Sequence, residues 1–208
     1  MPSPLVRWSG LALAAGGVLT FLINASLTPF LSRGGPFAEV AASPVFLWRQ
    51  GLSGVTGILL LFGTVGLCLR QAGRGGRFGG AAFTLAFVGS ALLVAHEWTE
   101  VFLVRDLALR APDALRVLEA PGRPALYDIG AMAALGTFTV GWIALAVSTL
   151  RVTPASRRGA WLVIVGFFTI PLLGAALPGT WGFVAGNAVL GAGWLLLGVD
   201  VSRAGSRS

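Results

Sequence analysis

Residues 159–199 read GAWLVIVGFFTIPLLGAALPGTWGFVAGNAVLGAGWLLLGV, a stretch with no charged residue and no histidine. A helix needs about 20 apolar residues to cross the hydrocarbon core of a membrane, so this stretch is about twice as long as one crossing requires. Pro178-Gly179 interrupts it near the middle, and this dipeptide favours a tight turn. The stretch therefore predicts two spanning helices joined by a short turn.

Four further stretches lack charged residues and histidine and are long enough, or nearly so, for one crossing each: Trp8–Ser32, Gln50–Leu69, Phe78–Ala95 and Ile129–Leu150. They lack the in–out alternation of a membrane β-barrel, and helices satisfy all backbone polar groups within the segment. We therefore expect a single all-α, polytopic membrane domain, 1–208, with six transmembrane helices arranged as three hairpins. The predicted spans are 8–30, 45–69, 78–103, 125–150, 159–177 and 180–201.

The composition excludes an ordinary soluble domain. Charged residues make up 11% of the chain and hydrophobic residues 55%, whereas soluble domains carry about 25% charged residues. The sequence pI of about 11.6 would suggest nucleic-acid binding in a soluble protein. Here the arginines lie in short segments between apolar spans, where they serve as topology signals. We therefore expect the lipid bilayer as the partner of this surface, and no nucleic acid.

Arginine placement also predicts the orientation of the chain. With the N-terminus inside, nine arginines lie in the cytoplasm and six outside, and the inner clusters adjoin helix ends. This indicates cytoplasmic N- and C-termini in the inner (plasma) membrane of a bacterial cell. Arg7 followed by an apolar run also resembles a signal peptide, and cleavage there would leave five spans. The run is long, and no clear Ala-x-Ala site follows it.

The segment 104–124 is the one sizeable predicted loop, and it lies on the outer side. Within it, residues 112–119 place proline and an acidic residue at a helix start and apolar residues at Ala114, Leu115 and Leu118. We expect a short interfacial helix here, on the outer surface between the third and fourth spans.

The tryptophans divide into two groups. Five fall near predicted helix ends, as expected for indole rings at a membrane interface: Trp8, Trp48, Trp98, Trp161 and Trp181. Trp142 and Trp194 do not, and each follows a glycine in segments that align without gaps, Gly141–Arg151 and Gly193–Arg203. The match suggests that spans three-four and five-six are related, although apolar sequences also produce such matches by chance.

The sequence His96-Glu97-Trp98-Thr99-Glu100 is the most unusual feature of the chain, because it places ionisable groups near the outer end of the third span. Helical spacing puts His96, Glu97 and Glu100 on one face, and Asp128 at the start of the fourth span could join them in an outward acidic pocket. The alternative is a solvated helix end, with Glu97 or Glu100 paired to Arg49 or Arg105.

The remaining candidate chemistry is limited. The zinc motif His-Glu-x-x-His requires a second histidine, and position 100 is glutamate, so we predict no metal, no cofactor and no catalytic residue; a mixed His96/Glu100 metal site is the alternative. Small and polar residues within the spans are typical of helix packing in membranes. We assign that role to Gly182, Gly186, Asn24 and Asn187.

Two classes of function remain open. A non-catalytic accessory or scaffold subunit needs the fewest assumptions, and its glycine-rich faces would pack against a membrane protein partner or a second copy of the chain. A small-solute or cation binding or transport protein would use the acidic pocket formed by His96, Glu97, Glu100 and Asp128. An enzyme acting on a lipid or a quinone is a third alternative.

Overall fold

A computed structural model describes residues 4–31, 35–119 and 126–207, with side chains except at 116–119, 206 and 207. The predicted outer arginines Arg33 and Arg123 lie outside the described residues. The described part is helical and contains no strand. Its helices are α1 (Pro4–Ser26), α2 (Phe37–Ala42), α3 (Pro44–Gln71), α4 (Gly76–Thr99), α5 (Arg105–Arg110), α6 (Pro112–Glu119), α7 (Leu126–Val152), α8 (Arg157–Ala176) and α9 (Trp181–Arg207).

Six described helices are long and apolar enough to cross a membrane, namely α1, α3, α4, α7, α8 and α9. This confirms the predicted number of membrane-crossing segments. The long apolar stretch divides as its sequence predicts, because α8 ends at Ala176 and α9 begins at Trp181. Gly179 lies between them with a φ of +64°, a left-handed conformation that glycine adopts without steric cost.

The six long helices form a closed ring in chain order. Each helix packs against the next one along the chain, and α9 packs back against α1. Of these neighbouring pairs, α7 and α8 pack together least closely. We name the two ends of the ring after buried residues: the Gln71 end contains the end of α3 and the start of α4, and the Glu97 end contains the end of α4 and the start of α7.

Glycines allow these helices to approach closely. A Cβ atom at Gly191 of α9 would lie 2.6 Å from the carbonyl oxygen of Gly17 in α1, which is too close for any other residue. Gly182 and Gly186 of α9 face the backbone of α8 in the same way. These glycines are therefore used for packing inside the bundle, as small residues are at close helix contacts in membranes, whereas a Cβ would meet open space at Gly51, Gly80, Gly130, Gly136 and Gly174.

The tryptophans follow the division that their sequence positions suggest. Trp142 and Trp194 are 0% and 2% exposed and pack together in the central core, with ring centroids 5.4 Å apart. The five tryptophans near helix ends are exposed instead. Many other large apolar side chains on the outside of the ring are also exposed, which suits a surface in contact with lipid.

Polar bonds between helices hold the Gln71 end together. The buried Gln71 side chain donates to Thr149 Oγ1 at 2.8 Å and accepts from Ser148 Oγ at 2.6 Å, which links α3 to α7. Arg70 donates to Ser156 Oγ at 3.0 Å, next to the start of α8. These bonds fix the Gln71 end, so the larger space inside the ring lies toward the other end.

Close packing at Gly141 provides a test of the ring. A Cβ at Gly141 would lie 2.6 Å from the Ala86 Cα atom in α4, whereas a Cβ at Gly136, on the same helix, has no neighbour within 4 Å. We expect Gly141→Ala to destabilise the protein by about 1–3 kcal/mol through overpacking. Gly136→Ala should leave stability unchanged or raise it by up to about 1 kcal/mol. Thermal unfolding in detergent compares the two variants, and an equal effect would contradict this packing.

Candidate ligand site

A cavity of about 480 Å³ lies inside the ring and is lined by residues from all six long helices. This volume is within the range of about 300 to 1,000 Å³ that is typical of small-molecule sites. Polar residues are more numerous toward the Glu97 end, where Thr20, Asn24, Arg49, Ser53, Thr56, Glu97 and Asn187 line the cavity beside the apolar Ile23, Pro171 and Phe183; Thr139 lies deeper. Apolar and aromatic residues line the deeper part: Leu60, Phe138, Phe167, Leu190 and Trp194.

Glu97 is the carboxylate on the cavity wall. Its side chain is 9% exposed, and its Oε2 atom is buried without a hydrogen-bond partner among the described residues. Gly54 of α3 packs beside it, since a Cβ at Gly54 would lie in ordinary van der Waals contact with the Glu97 Cβ, at 3.7 Å. A buried polar atom without a partner costs about 1–3 kcal/mol, so Glu97 is placed at an energetic cost that a bound group can offset.

A chain of polar contacts continues from the cavity wall into the bundle. Arg49 Nε donates to Thr28 Oγ1 at 3.2 Å, and the Thr28 hydroxyl donates to Asn24 Oδ1 at 3.1 Å. Arg49 Nη1 also donates to Gln50 Oε1. The side chain of Gln50 hydrogen bonds to Glu100. Arg49 is therefore held by α1 and by its neighbour on α3, beside the acidic residues of α4.

The buried charges in this region do not cancel. Glu97 and Glu100 are both buried, and Arg49 is the cation whose positive charge acts on each of them. His96 Nε2 lies 3.7 Å from Glu100 Oε1 and adds a positive charge only when the imidazole is protonated. With a neutral histidine, two carboxylates face one guanidinium, so the site favours a bound cation or a proton.

The acidic residues face in two directions. Glu97 lines the cavity, whereas Glu100 lies against Gln50 and His96. Residues Glu100–Val104 form a π-helical turn, which accommodates more residues per turn than an α-helix and so changes the direction of later side chains. The turn begins at Glu100, so it redirects the residues that follow the two glutamates and not the glutamates themselves.

His96 and Asp128 lie further from the cavity. The His96 ring is half-buried, with its centroid 5.6 Å from that of Tyr127 at the start of α7. Asp128 follows Tyr127 and is partly exposed, and neither Asp128 nor His96 is among the residues that line the cavity. The structure therefore brings His96 and Glu100 together and places Glu97 alone of the four predicted residues on the cavity wall.

Asn24 and Asn187 also line the cavity. We expected the side chain of each asparagine to hydrogen bond to a neighbouring helix, but the donor bond of each side chain stays within its own helix. Asn24 donates to the Thr20 carbonyl at 2.8 Å, and Asn187 donates to the Phe183 carbonyl at 2.9 Å, each within its own helix. Both side-chain amides therefore form part of the cavity wall. Their sequence positions could have indicated this role. Asn24 near the end of α1 and Asn187 near the start of α9 lie toward the same end of the bundle as Glu97.

The deeper part of the cavity has an aromatic wall. Phe138, Phe167 and Trp194 pack edge to face, with ring centroids 5.8 to 6.2 Å apart. The Trp194 Nε1 atom is buried without a hydrogen-bond partner among the described residues. Its sequence counterpart Trp142 donates from Nε1 to Ser90 Oγ at 3.0 Å. The two matched tryptophans therefore differ, because the donor of Trp142 is satisfied within the protein.

The neighbouring helices explain this difference. A Cβ at Gly141 meets Ala86 of α4, and a Cβ at Gly193 meets Val163 of α8. Ser90 lies about one helical turn after Ala86, whereas Phe167 lies about one helical turn after Val163. A phenyl ring has no oxygen lone pair like that of the Ser90 hydroxyl, which accepts from Trp142. The Trp194 N–H is therefore left as a donor beside the cavity.

Above the cavity, α2, α5 and α6 form a small cap at the Glu97 end with its own apolar core. Its buried side chains are Ala38, Ala41, Phe46, Val104, Ala108 and Leu115. Arg105, the first residue of α5, ties this helix to the junction of α2 and α3, because its Nη1 donates to the carbonyl oxygens of Ala42 at 3.0 Å and Ser43 at 2.6 Å. A cation at the end of α2 also interacts favourably with the helix dipole.

The chain has no match among family models, curated proteins or solved structures. Within the described residues, no group of three or more histidine, cysteine, aspartate or glutamate side chains could hold a metal ion. The function must therefore be argued from the cavity, its carboxylate and its aromatic wall.

The cap gives a second test. We expect Arg105→Ala to increase amide hydrogen exchange in α2 and at the start of α3 by tenfold or more, because hydrogen bonds from a charged group contribute about 1.5–3 kcal/mol. Arg110→Ala is the control. Arg110 is on the same helix and makes an exposed ion pair with Asp106, an interaction worth about 0–1 kcal/mol. Similar exchange in both variants, measured by mass spectrometry, would show that Arg105 does not hold the cap.

Proposed function

We propose that this multi-pass membrane protein binds a small molecule carrying a cationic group inside the ring, as a binding or transport protein, with Glu97 as the anchor. The observation that carries the proposal is the buried Glu97 side chain, which lines a cavity of about 480 Å³ and has one carboxylate oxygen buried without a hydrogen-bond partner among the described residues. A cationic hydrogen-bond donor would supply both the missing bond and the missing positive charge.

The surrounding residues support a binding site of this kind. Arg49 is held by Thr28 and Gln50, so it offsets part of the acidic charge from a fixed position. Asn24 and Asn187 add amide groups on the opposite wall. A few polar groups in a mostly apolar cavity are the usual composition of a specific small-molecule site.

A scaffold role has less support from the structure. That hypothesis was based on glycine-rich faces available to a partner or a second copy of the chain. Gly182 and Gly186 instead pack against α8, and Gly17 and Gly191 bring α1 against α9. The cavity and the unpartnered carboxylate have no role in a purely structural subunit.

Amine binding tests the proposed function. We expect at least one alkylammonium ion in a series from methylammonium to octylammonium to raise the unfolding temperature of the purified protein in lipid nanodiscs. A ligand at one hundred times its Kd stabilises by about 2.7 kcal/mol. Glu97→Gln should abolish the effect. Glu39→Gln, which changes an exposed carboxylate of α2, should retain it.

Two results would contradict the proposal. One is that no amine in the series stabilises the wild-type protein. The other is that the Glu97→Gln variant is stabilised as much as the wild type. In each case the unpartnered carboxylate would have no part in binding a cation.

We further propose that the chain is arranged as three hairpins in the plasma membrane, with both termini cytoplasmic and α6 on the outer surface. Arginines at the Gln71 end support this orientation: Arg70, Arg74, Arg77, Arg151, Arg157 and Arg158. The high amphipathicity of the 112–119 helix supports a position at the interface. In this orientation the cap and the polar end of the cavity face outward.

Cysteine labelling tests the orientation. In a Cys68→Ala background, we expect the Glu39→Cys variant to react with a membrane-impermeant maleimide in intact cells. The Arg74→Cys variant should react only after lysis, because Arg74 is exposed in the turn at the Gln71 end. The reverse pattern would place the cap in the cytoplasm.

A further inference from the structure

The cavity is long and changes in polarity along its length. Arg49 and Leu60 both line it from α3, about three helical turns apart, so it extends roughly 16 Å along the bundle. Glu97 and Arg49 lie at one end, and the Phe138, Phe167 and Trp194 rings lie at the other. A molecule that fills this space needs a polar head and an apolar body.

The wall of the cavity is open between α7 and α8. The lining residues of α1, such as Thr20, Ile23 and Asn24, are buried. On α7 the lining residue Leu135 is 51% exposed, and on α8 the lining residue Pro171 is also exposed. These two helices are the least closely packed neighbours in the ring. The opening therefore lies between them.

The surface around this opening is apolar. Met132 on α7 is 68% exposed, and Phe168 and Leu172 on α8 are exposed as well. These residues lie within the membrane-crossing lengths of their helices. An opening at this level leads to the hydrocarbon of the membrane and not to water. A ligand that uses it must dissolve in the bilayer.

From these observations we infer that the ligand is an amphipathic, membrane-soluble amine that enters from the lipid between α7 and α8. Its ammonium group binds Glu97, and its apolar chain packs against the aromatic wall of Phe138, Phe167 and Trp194. This inference rests on the proposed function, since it requires Glu97 to bind a cation. It adds the class of ligand and the route by which the ligand arrives.

The test variant narrows the opening between α7 and α8 and leaves the residues at the polar end of the cavity unchanged. Leu135→Trp places a larger side chain at the opening, and Met132→Trp makes the same change on an exposed position of α7 that does not line the cavity. Octylammonium and butylammonium are the probes, and 1-octanol controls for uncharged partition into lipid. Binding is measured in nanodiscs as the increase in unfolding temperature that a ligand gives to a protein with Glu97 and does not give to the Glu97→Gln variant.

We expect octylammonium to bind at least tenfold more tightly than butylammonium to the wild-type and Met132→Trp proteins, and 1-octanol to give no stabilisation that depends on Glu97. In the Leu135→Trp variant, the rate of octylammonium association, measured by stopped-flow mixing, should fall at least tenfold, because a narrower entrance slows entry. If that variant fails to fold, Thr139→Trp repeats the test one turn further along the cavity wall of α7.

The inference is overturned if butylammonium binds as tightly as octylammonium, or if the tryptophan at the opening leaves the association rate of octylammonium unchanged. Either result leaves the proposed function standing, because binding would still depend on Glu97. The absence of any amine binding that depends on Glu97 would instead overturn the proposed function. The two failures are therefore distinguishable.

Discussion

The close contact between α1 and α9 is the constraint on which the rest of the structure depends. Gly17 and Gly191 allow the backbones of these two helices to meet, which only residues without a side chain permit. Lipid is as apolar as the protein interior, so no hydrophobic effect holds the helices together, and close backbone packing must do so. This contact completes the ring of six helices. The ring separates its inner space from lipid everywhere except at the opening between α7 and α8.

Inside that space, the protein retains polar groups that it does not itself satisfy. The Glu97 carboxylate and the Trp194 indole N–H both lack a described partner, although Trp142 shows that the fold can satisfy such a donor when a serine is present. The Gln71 end shows the opposite arrangement, with its buried amide bonded on both sides. Two of the three buried polar atoms without a partner among the described residues therefore belong to residues that line the cavity, and the third, Ser9 Oγ, lies toward the Gln71 end.

Much of the fold was predictable from the sequence because spanning helices depend on local composition. The six crossings, the turn at Pro178-Gly179 and the separation of Trp142 and Trp194 from the interfacial tryptophans all follow from the order of residues. The sequence also singles out Glu97 and Glu100, since charged groups within a span are costly, and both side chains are buried. The hairpin arrangement and the surface position of the 112–119 helix stay predictions.

The partners within the bundle were not predictable. Faces toward lipid and faces toward the core are both apolar in a membrane protein, so α4 and α7 show almost no amphipathic pattern to indicate which side is buried. From the sequence we therefore interpreted Arg49 as a topology signal, although its side chain lines the cavity. The π-helical turn that begins at Glu100 also has no sequence signature of its own.

The pairing of α1 with α9 also constrains how the protein is made. Ribosomes deliver the helices to the membrane in order, so α1 must remain in the bilayer without one of its two neighbours until synthesis of the chain reaches α9. During this period, the glycine surface of α1 and the polar side chains of the future cavity face lipid or the insertion machinery. Completion of the binding site is therefore a late step of biogenesis, whatever the order in which the other pairs form.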